Sequence, residues 1–292
     1  MFGRFDRKNE AGASRRAEIG TAEWGGVRDI QSVLKSVLEE ILMRTAGNTI
    51  LITGGATGIG LALAEAFLRK GNEVLICGRR ENKLTQAKNK FPKLQIRRCD
   101  VADSEDRRRL YDWAVTNYKH LNVLINNAGI QKEIDFKKGS ADLLGGENEI
   151  EINLQAPVHL SALFIPHLTE QKEAAIVNIS SGLGFVPLAI MPLYCATKAA
   201  IHSFSLSLRH QLRNTTIKVF EIIPPTTDTE LDRGARGKRG QADRGIKPEV
   251  VAEAAIEAMD KDNFEVTVGQ AEFLRTSSRN DPERVFQMIN AR

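Results

Sequence analysis

The run Thr49-Ile50-Leu51-Ile52-Thr53-Gly54-Gly55-Ala56-Thr57-Gly58-Ile59-Gly60 decides how the chain folds. Its first residues are apolar and β-branched, as a short strand requires, and Leu61 to Lys70 beyond it is rich in Leu and Ala without Gly or Pro. Strand, glycine turn and helix therefore follow one another. Glycines at such a turn take positive φ and let an anion approach where a Cβ would stand, while the first turn of the helix offers unpaired N–H groups. A glycine-rich turn also arises for structural reasons alone. The flanking strand and helix favour dinucleotide binding, with Thr53, Gly54, Gly58, Ile59 and Gly60 around the pyrophosphate.

The rest of the chain is compatible with a large core around that turn, since 42% of 292 residues are hydrophobic. The formal charge of +4 is interspersed rather than gathered in one block, which excludes a nucleic-acid footprint. Cys77, Cys99 and Cys195 lack metal-ligand spacing, so no metal site is expected. No apolar signal-peptide core or membrane-length apolar run occurs, and a reducing cytoplasm is the expected setting.

From Thr49 onward strand-like and helix-like segments alternate with short connections, the pattern of a parallel sheet covered on both faces. Strands are expected over Thr49 to Thr53, Glu73 to Cys77, Leu94 to Arg98, Asn122 to Asn126, Ala174 to Ser180, Ile217 to Ile223 and Glu265 to Val268. Runs such as Val123-Leu124-Ile125 suit strands buried on both faces. The expected architecture is α/β: a single-domain Rossmann fold over residues 47–292, with a doubly wound seven-stranded parallel sheet. Residues 1–46 stand apart as a glycine-punctuated, charge-mixed extension, expected to be disordered apart from an amphipathic helix over Asp29 to Arg44. Asp6, Glu10 and Glu18 among its arginines disfavour a mitochondrial presequence. Met43 is the expected start of the minimal domain.

The second strand runs into Gly78-Arg79-Arg80, where this fold meets the adenosine ribose. An acidic residue there would favour a free 2′-hydroxyl, whereas Arg79 and Arg80 offer forked donors to a 2′-phosphate. NADP is favoured over NAD on that ground, the alternative being two arginines that merely solvate a loop. Asp100-Val101, after the third strand, either borders the adenine or, through Asp100, caps the helix beginning near Ser104.

Tyr194-Cys195-Ala196-Thr197-Lys198 sets a phenol and an ammonium one turn apart on an expected helix over Pro192 to Leu212. A free phenol has a pKa of about 10, and the lysine supplies a field that would stabilise phenolate. Together with the glycine turn, Asn126-Asn127-Ala128-Gly129, Asn153 and Ser181, in that order and spacing, this chain resembles the short-chain dehydrogenase/reductase family over about residues 47 to 270. Within the family it is most similar to a bacterial, DltE-like branch. The resemblance implies that Tyr194 gives or takes the substrate proton, Ser181 binds the substrate oxygen, Lys198 holds the nicotinamide ribose and lowers the phenol's pKa, and Asn153 anchors a relay water. It also implies that Asn127, Ala128, Gly129, Tyr194, Lys198, Pro224 and Thr229 line the NADP cleft. Hydride transfer builds negative charge on the substrate oxygen, so a hydroxyl pair and a proton source are what such a reaction needs.

Two features depart from the family pattern: Pro224-Pro225 stands where Pro-Gly is usual, and the segment from Asn127 to Asn153 is slightly longer, with Gly145-Gly146 inside it. Ser180 competes with Ser181; spacing prefers Ser181. Leu183, Phe185, Val186, Leu188, Ile190 and Met191 form either an apolar wall for a carbonyl or alcohol substrate or ordinary core and interface. Asp232 to Gly245, rich in Arg and Gly, reads as a lid or as a solvated loop. A homodimer or homotetramer is expected. The competing function class is a non-catalytic NADP-binding sensor or scaffold on the same fold. Because the glycine-turn domain is compositionally complete without the extension, a chain beginning at Met43 should unfold cooperatively and bind coenzyme; loss of either, by thermal melting and coenzyme titration, would place the Asp29 to Arg44 segment in the core.

Overall fold

The computed structural model describes residues 43–231, 234, 237, 240 and 245–291. The expected helix over Asp29 to Arg44 lies outside them save for Met43 and Arg44, which are not helical. The Asp232 to Gly245 segment also lies outside them except for its glycines.

Seven strands form one parallel sheet: β1 (Thr49–Thr53), β2 (Glu73–Gly78), β3 (Gln95–Arg98), β4 (Leu121–Asn126), β5 (Ala174–Ile179), β6 (Ile217–Ile223) and β7 (Glu265–Thr267). Their order is β3-β2-β1-β4-β5-β6-β7, so the direction of strand addition reverses between β1 and β4. That reversal opens a crevice at the carboxyl ends of the two strands. The described helices are α1 (Gly58–Arg69), α2 (Glu81–Lys90), α3 (Ser104–Asn117), α4 (Ala141–Leu144), α5 (Ala156–Thr169), α6 (Pro192–Gln211), α7 (Pro248–Asp260), α8 (Gln270–Asn280) and α9 (Pro282–Asn290).

Alternation along each strand sorts the core into two halves. Ile50, Ile52, Ile76, Ile125 and Phe220 pack against Leu63 and Phe67 of α1 and Val251 and Met259 of α7. Leu51, Leu75, Leu124, Ile176 and Val219 pack with Leu110 of α3, Phe164 of α5 and Leu208 of α6. Both faces are thus covered, which explains the apolar runs within the central strands. Met43 belongs to the first cluster and its amide donates to Asp262 Oδ1 (3.2 Å), so the packed domain begins ahead of residue 47. Among the described residues no helix is long and apolar enough to cross a membrane.

One helix boundary corrects an expectation. α3 is capped by Asp103, whose Oδ1 accepts from the amides of Glu105 (2.7 Å) and Asp106 (3.2 Å); Asp100 instead takes the Ala102 amide at 3.0 Å. Asp103 is the residue just before the first helical one, where a carboxylate can reach the free amides of the first turn.

A Cβ on Gly60 would lie 2.4 Å from the Gly54 carbonyl oxygen and 2.5 Å from Asn127 Nδ2, whereas one on Gly78 meets nothing within 4 Å. Gly60→Ala should therefore cost about 1–3 kcal/mol, because backbone must move, and Gly78→Ala should stay within about 0.5 kcal/mol. Denaturant melts of the two variants would check this contrast.

Candidate active site

Thr53 ends β1 and joins both lips of the crevice. Its Oγ1 accepts from the amides of Asn127 and Ala128, both at 3.0 Å, while Asn127 Nδ2 donates to the carbonyls of Thr53 (2.9 Å) and Gly54 (3.2 Å). Gly54 takes φ +64° and a Cβ there would strike Ala128 Cα at 2.9 Å, so the glycine is set by close backbone approach. Gly58, at φ +55°, faces the methyl of Thr229. Thr57 precedes α1 without capping it, so the first-turn amides of α1, which begins with Gly58, Ile59 and Gly60, keep their free donors. An uncapped helix start beside a glycine cradle fits a pyrophosphate.

At the adenosine end, Arg79 pairs with Glu147 and Arg80 pairs with Glu230 (2.9 Å). Arg80 also donates to Thr57 Oγ1 (3.2 Å), and Lys83 joins Glu230 at 2.9 Å. Hydrogen bonds from Lys83 and Arg80 hold the Glu230 carboxyl below the usual range. The arginines therefore converge on anionic groups supplied by two distant loops. Val101 is buried and Asp100 partly so; behind them a fully buried Arg107 donates to the carbonyls of Val101 (2.6 Å) and Ala102 (3.0 Å) and contacts His159 Nδ1 (3.0 Å). Sequence reading overlooked Arg107, since a lone arginine on a helix gives no sign of burial.

At the chemical end, α6 carries Tyr194 and Lys198 on its buried face, and Ser181 follows β5. The Tyr194 hydroxyl shares a hydrogen bond with Ser181, and Lys198 Nζ lies 5.7 Å from the phenol ring centre while donating to the Ile179 carbonyl (2.8 Å). Ser180 is buried with its hydroxyl unpartnered among the described residues and makes no such contact. Asn153 sits in a π-helical turn over Glu151–Gln155, ahead of α5. Its Oδ1 accepts from the Ile130 amide (2.8 Å) and its Nδ2 donates to Ile130 O (2.9 Å) and Thr197 Oγ1 (3.2 Å). Gly129 stands between Asn153 Oδ1 and Lys198 Nζ, 3.4 Å and 3.8 Å from where its Cβ would be. Pro224 accepts from the Gly182 amide (3.1 Å), tying the end of β6 to the serine loop, and Thr229 Oγ1 accepts from Leu231 N (3.3 Å).

Burial governs the titration of this group. It pushes the Tyr194 phenol up to about 12 against the hydrogen bond from Ser181, and lowers the Lys198 ammonium to about 8 against the attraction of Glu221. The apolar enclosure penalises phenolate and sets the direction of the phenol's shift. Cys195 is likewise raised by burial, to about 11, and packs with Met191 and Leu188 as an inert thiol.

Three further features escaped the sequence reading. A polar row crosses the sheet beneath the site: Asn126 Nδ2 donates to Ser161 Oγ (3.2 Å) and Asn178 Oδ1 (2.9 Å), and Asn178 Nδ2 to Ser205 Oγ (2.9 Å). Glu221, fully buried on β6, hydrogen-bonds His202 on α6 (2.8 Å). Glu149 is buried one turn ahead of Asn153. Only Glu221, an acid inside an apolar strand run, carried a signal that could have been noticed.

With this geometry in place, comparison with known proteins is direct. The short chain dehydrogenase family model matches residues 48–240. A Bacillus subtilis protein named as an uncharacterized oxidoreductase, DltE, is 53% identical over 248 residues, 85% of this chain and 98% of that one. The NADP-dependent 3-hydroxy acid dehydrogenase YdfG of Escherichia coli is 29% identical over 214 residues, 70% of this chain and 86% of that one. The crystal structure of a short chain dehydrogenase/reductase from Burkholderia phymatum in complex with NAD superposes with a TM-score of 0.73 at 22% identity, covering 85% of this chain and 97% of that one, and shares the fold. The matched model, the sheet order and the DltE likeness agree, and this chain belongs to the short-chain dehydrogenase/reductase family, as a DltE-like oxidoreductase.

Proposed function

We propose that the chain is an NADP(H)-dependent oxidoreductase acting between a carbonyl and an alcohol, with Tyr194 as general acid and base. The observation that carries this reading is the Tyr194 hydroxyl held by Ser181 with Lys198 one turn further along α6, all at the strand ends that border the glycine cradle. The nicotinamide, when bound, supplies or accepts the hydride. Ser181 and Tyr194 then share the substrate oxygen, where a hydroxyl pair stabilises developing negative charge and Tyr194 delivers its proton. Lys198 offers its ammonium to the ribose side, and Asn153 fixes the Gly129–Ile130 backbone that walls the cleft. The E. coli relative named NADP-dependent and the Arg79–Arg80 pair support NADP; the NAD in the Burkholderia structure keeps NAD in view as the competing coenzyme. A cytoplasmic homodimer or homotetramer acting on a largely apolar substrate completes the reading, supported by the wall of Leu183, Leu188, Ile190 and Met191 around Tyr194.

Turnover separates this from a sensor: Tyr194→Phe should cut reduction of a ketone at least about a hundredfold, the scale of general acid help, and leave NADPH affinity nearly intact. Wild-type turnover in that variant would remove the tyrosine mechanism. Lys198 loses its proton first as pH rises, since its pKa is about 8 against about 12 for Tyr194. The kcat/KM for reduction reports free-enzyme groups, so it should be level below pH 7 and fall as pH passes about 8. Arg80→Ser should weaken NADPH by about tenfold or more, the worth of a charge-assisted hydrogen bond, and NADH by less than about twofold. Equal losses in a fluorescence titration of both coenzymes would sink the 2′-phosphate assignment.

A further inference from the structure

We propose that Glu149 is a substrate-binding carboxylate, and that the carbonyl or alcohol substrate carries an ammonium group for it. This rests on the oxidoreductase reading above and narrows its substrate class.

Glu149 lies in a wedge beside the catalytic tyrosine. Its Oε1 accepts from the Lys132 amide at 3.0 Å, and Lys132 belongs to a stretch fastened at several points. Asn153 grips Ile130, Gln131 Nε2 meets Met191 Sδ, and the Ile134 amide donates to the Ile190 carbonyl (3.0 Å). The carboxyl therefore sits where the 130–134 stretch runs beside the 190–195 stretch that holds Tyr194. Its field reaches the Tyr194 phenol and the Cys195 thiol, raising both slightly beyond what burial does.

The second oxygen, Oε2, is buried and has no partner among the described residues. Lys132, whose charge acts on this carboxyl, directs its ammonium to the carbonyls of Gly145 (2.7 Å) and Glu147 (3.3 Å) instead. Around the tyrosine the walls are apolar: Leu183, Leu188, Ile190, Met191 and Leu231. A buried carboxylate in such surroundings costs free energy unless a donor or cation meets it. Burial accordingly raises the Glu149 carboxyl above its ordinary value, partly offset by the Lys132 amide and charge. Holding the Lys132 amide needs one oxygen, which an uncharged glutamine would also supply. The charge and the spare oxygen are explained together if the substrate brings the donor: an ammonium near the carbonyl meets Oε2 while its carbon chain lies on the apolar wall.

The experiment compares aminoacetone with 2-butanone, which exchanges the ammonium for a methyl group of similar size, in wild type and Glu149→Gln with NADPH and with NADH. The kcat/KM ratio of amine to neutral ketone should exceed one in the wild type and fall at least about tenfold in the variant, the scale of a hydrogen bond to a charged group. A ratio untouched by the substitution, or a wild type that reduces 2-butanone without preferring the amine, overturns this proposal alone. If neither ketone is reduced with either coenzyme although coenzyme binds, the proposal and the oxidoreductase reading both fall. Melting temperature is read alongside. Should Glu149→Gln not fold, inhibition of wild-type 2-butanone reduction decides: propylammonium should inhibit at least about tenfold more strongly than 1-propanol, and equal inhibition overturns the proposal.

Discussion

The hydroxyl of Thr53 takes the amides of Asn127 and Ala128, and the Asn127 side chain answers with hydrogen bonds to Thr53 and Gly54, so the two central strands are joined where the sheet reverses direction. Everything near the site inherits that closeness. Gly54 and Gly60 have room for a hydrogen only, which brings the start of α1 down onto the crevice with its first amides uncapped. The glycines are thus packing requirements of the apposed strands as well as a cradle. One residue back, Asn126 continues the polar seam inward, directly to Ser161 on α5 and through Asn178 to Ser205 on α6. Those bonds cross buried β4 and β5, where an unpaired amide would cost about 1–3 kcal/mol. They tie α5 to β4 and α6 to β5 beneath the crevice.

α6 then solves an electrostatic problem. Tyr194, Lys198 and His202 recur at one-turn spacing, and the first two are buried. Lys198 keeps a proton near neutrality because the Ile179 carbonyl takes one of its hydrogens and the buried Glu221 opposes its desolvation. Glu221 is balanced in turn: its hydrogen bond holds the His202 imidazole above its ordinary value. Glu265, the β7 partner of Glu221, meets Arg275 at 2.5 Å. His202, Glu221 and Glu265 cluster as metal ligands would, but guanidinium already supplies the positive charge, and the grouping reads as support for Lys198.

Strands and helices were readable because burial on both faces leaves continuous apolar runs, and each strand expectation matches within a residue or so. The glycine turn, Asn127, Ser181, Tyr194 and Lys198 stood out because residue types at fixed spacing are visible in a sequence before any fold is known. Charge balance was not. The phenol's direction of shift depends on how completely Tyr194 is enclosed, which spacing along one helix does not encode. Partners far apart in the chain were equally hidden: Arg79 with Glu147, Arg80 with Glu230, Arg107 with the Val101 carbonyl. In each case one charged residue looks like ordinary surface until the fold brings the other to it.

Those arginine pairs link the two ends of the cleft. Arg80 and Glu230 are each about half exposed, at 49% and 54%, so water screens their attraction. An exposed ion pair is worth at most about 1 kcal/mol, and a phosphate dianion accepting from the same forked donors competes with it easily. Glu230 adjoins Thr229, whose methyl faces Gly58, and Leu231, which packs in the cluster around Tyr194. Glu147 lies two residues before Glu149 and supplies a carbonyl to Lys132. The loops whose acids meet the adenosine-end arginines therefore also build the wall around the phenol. A phosphate that displaced the screened carboxylate at one end would therefore act on segments that shape the other.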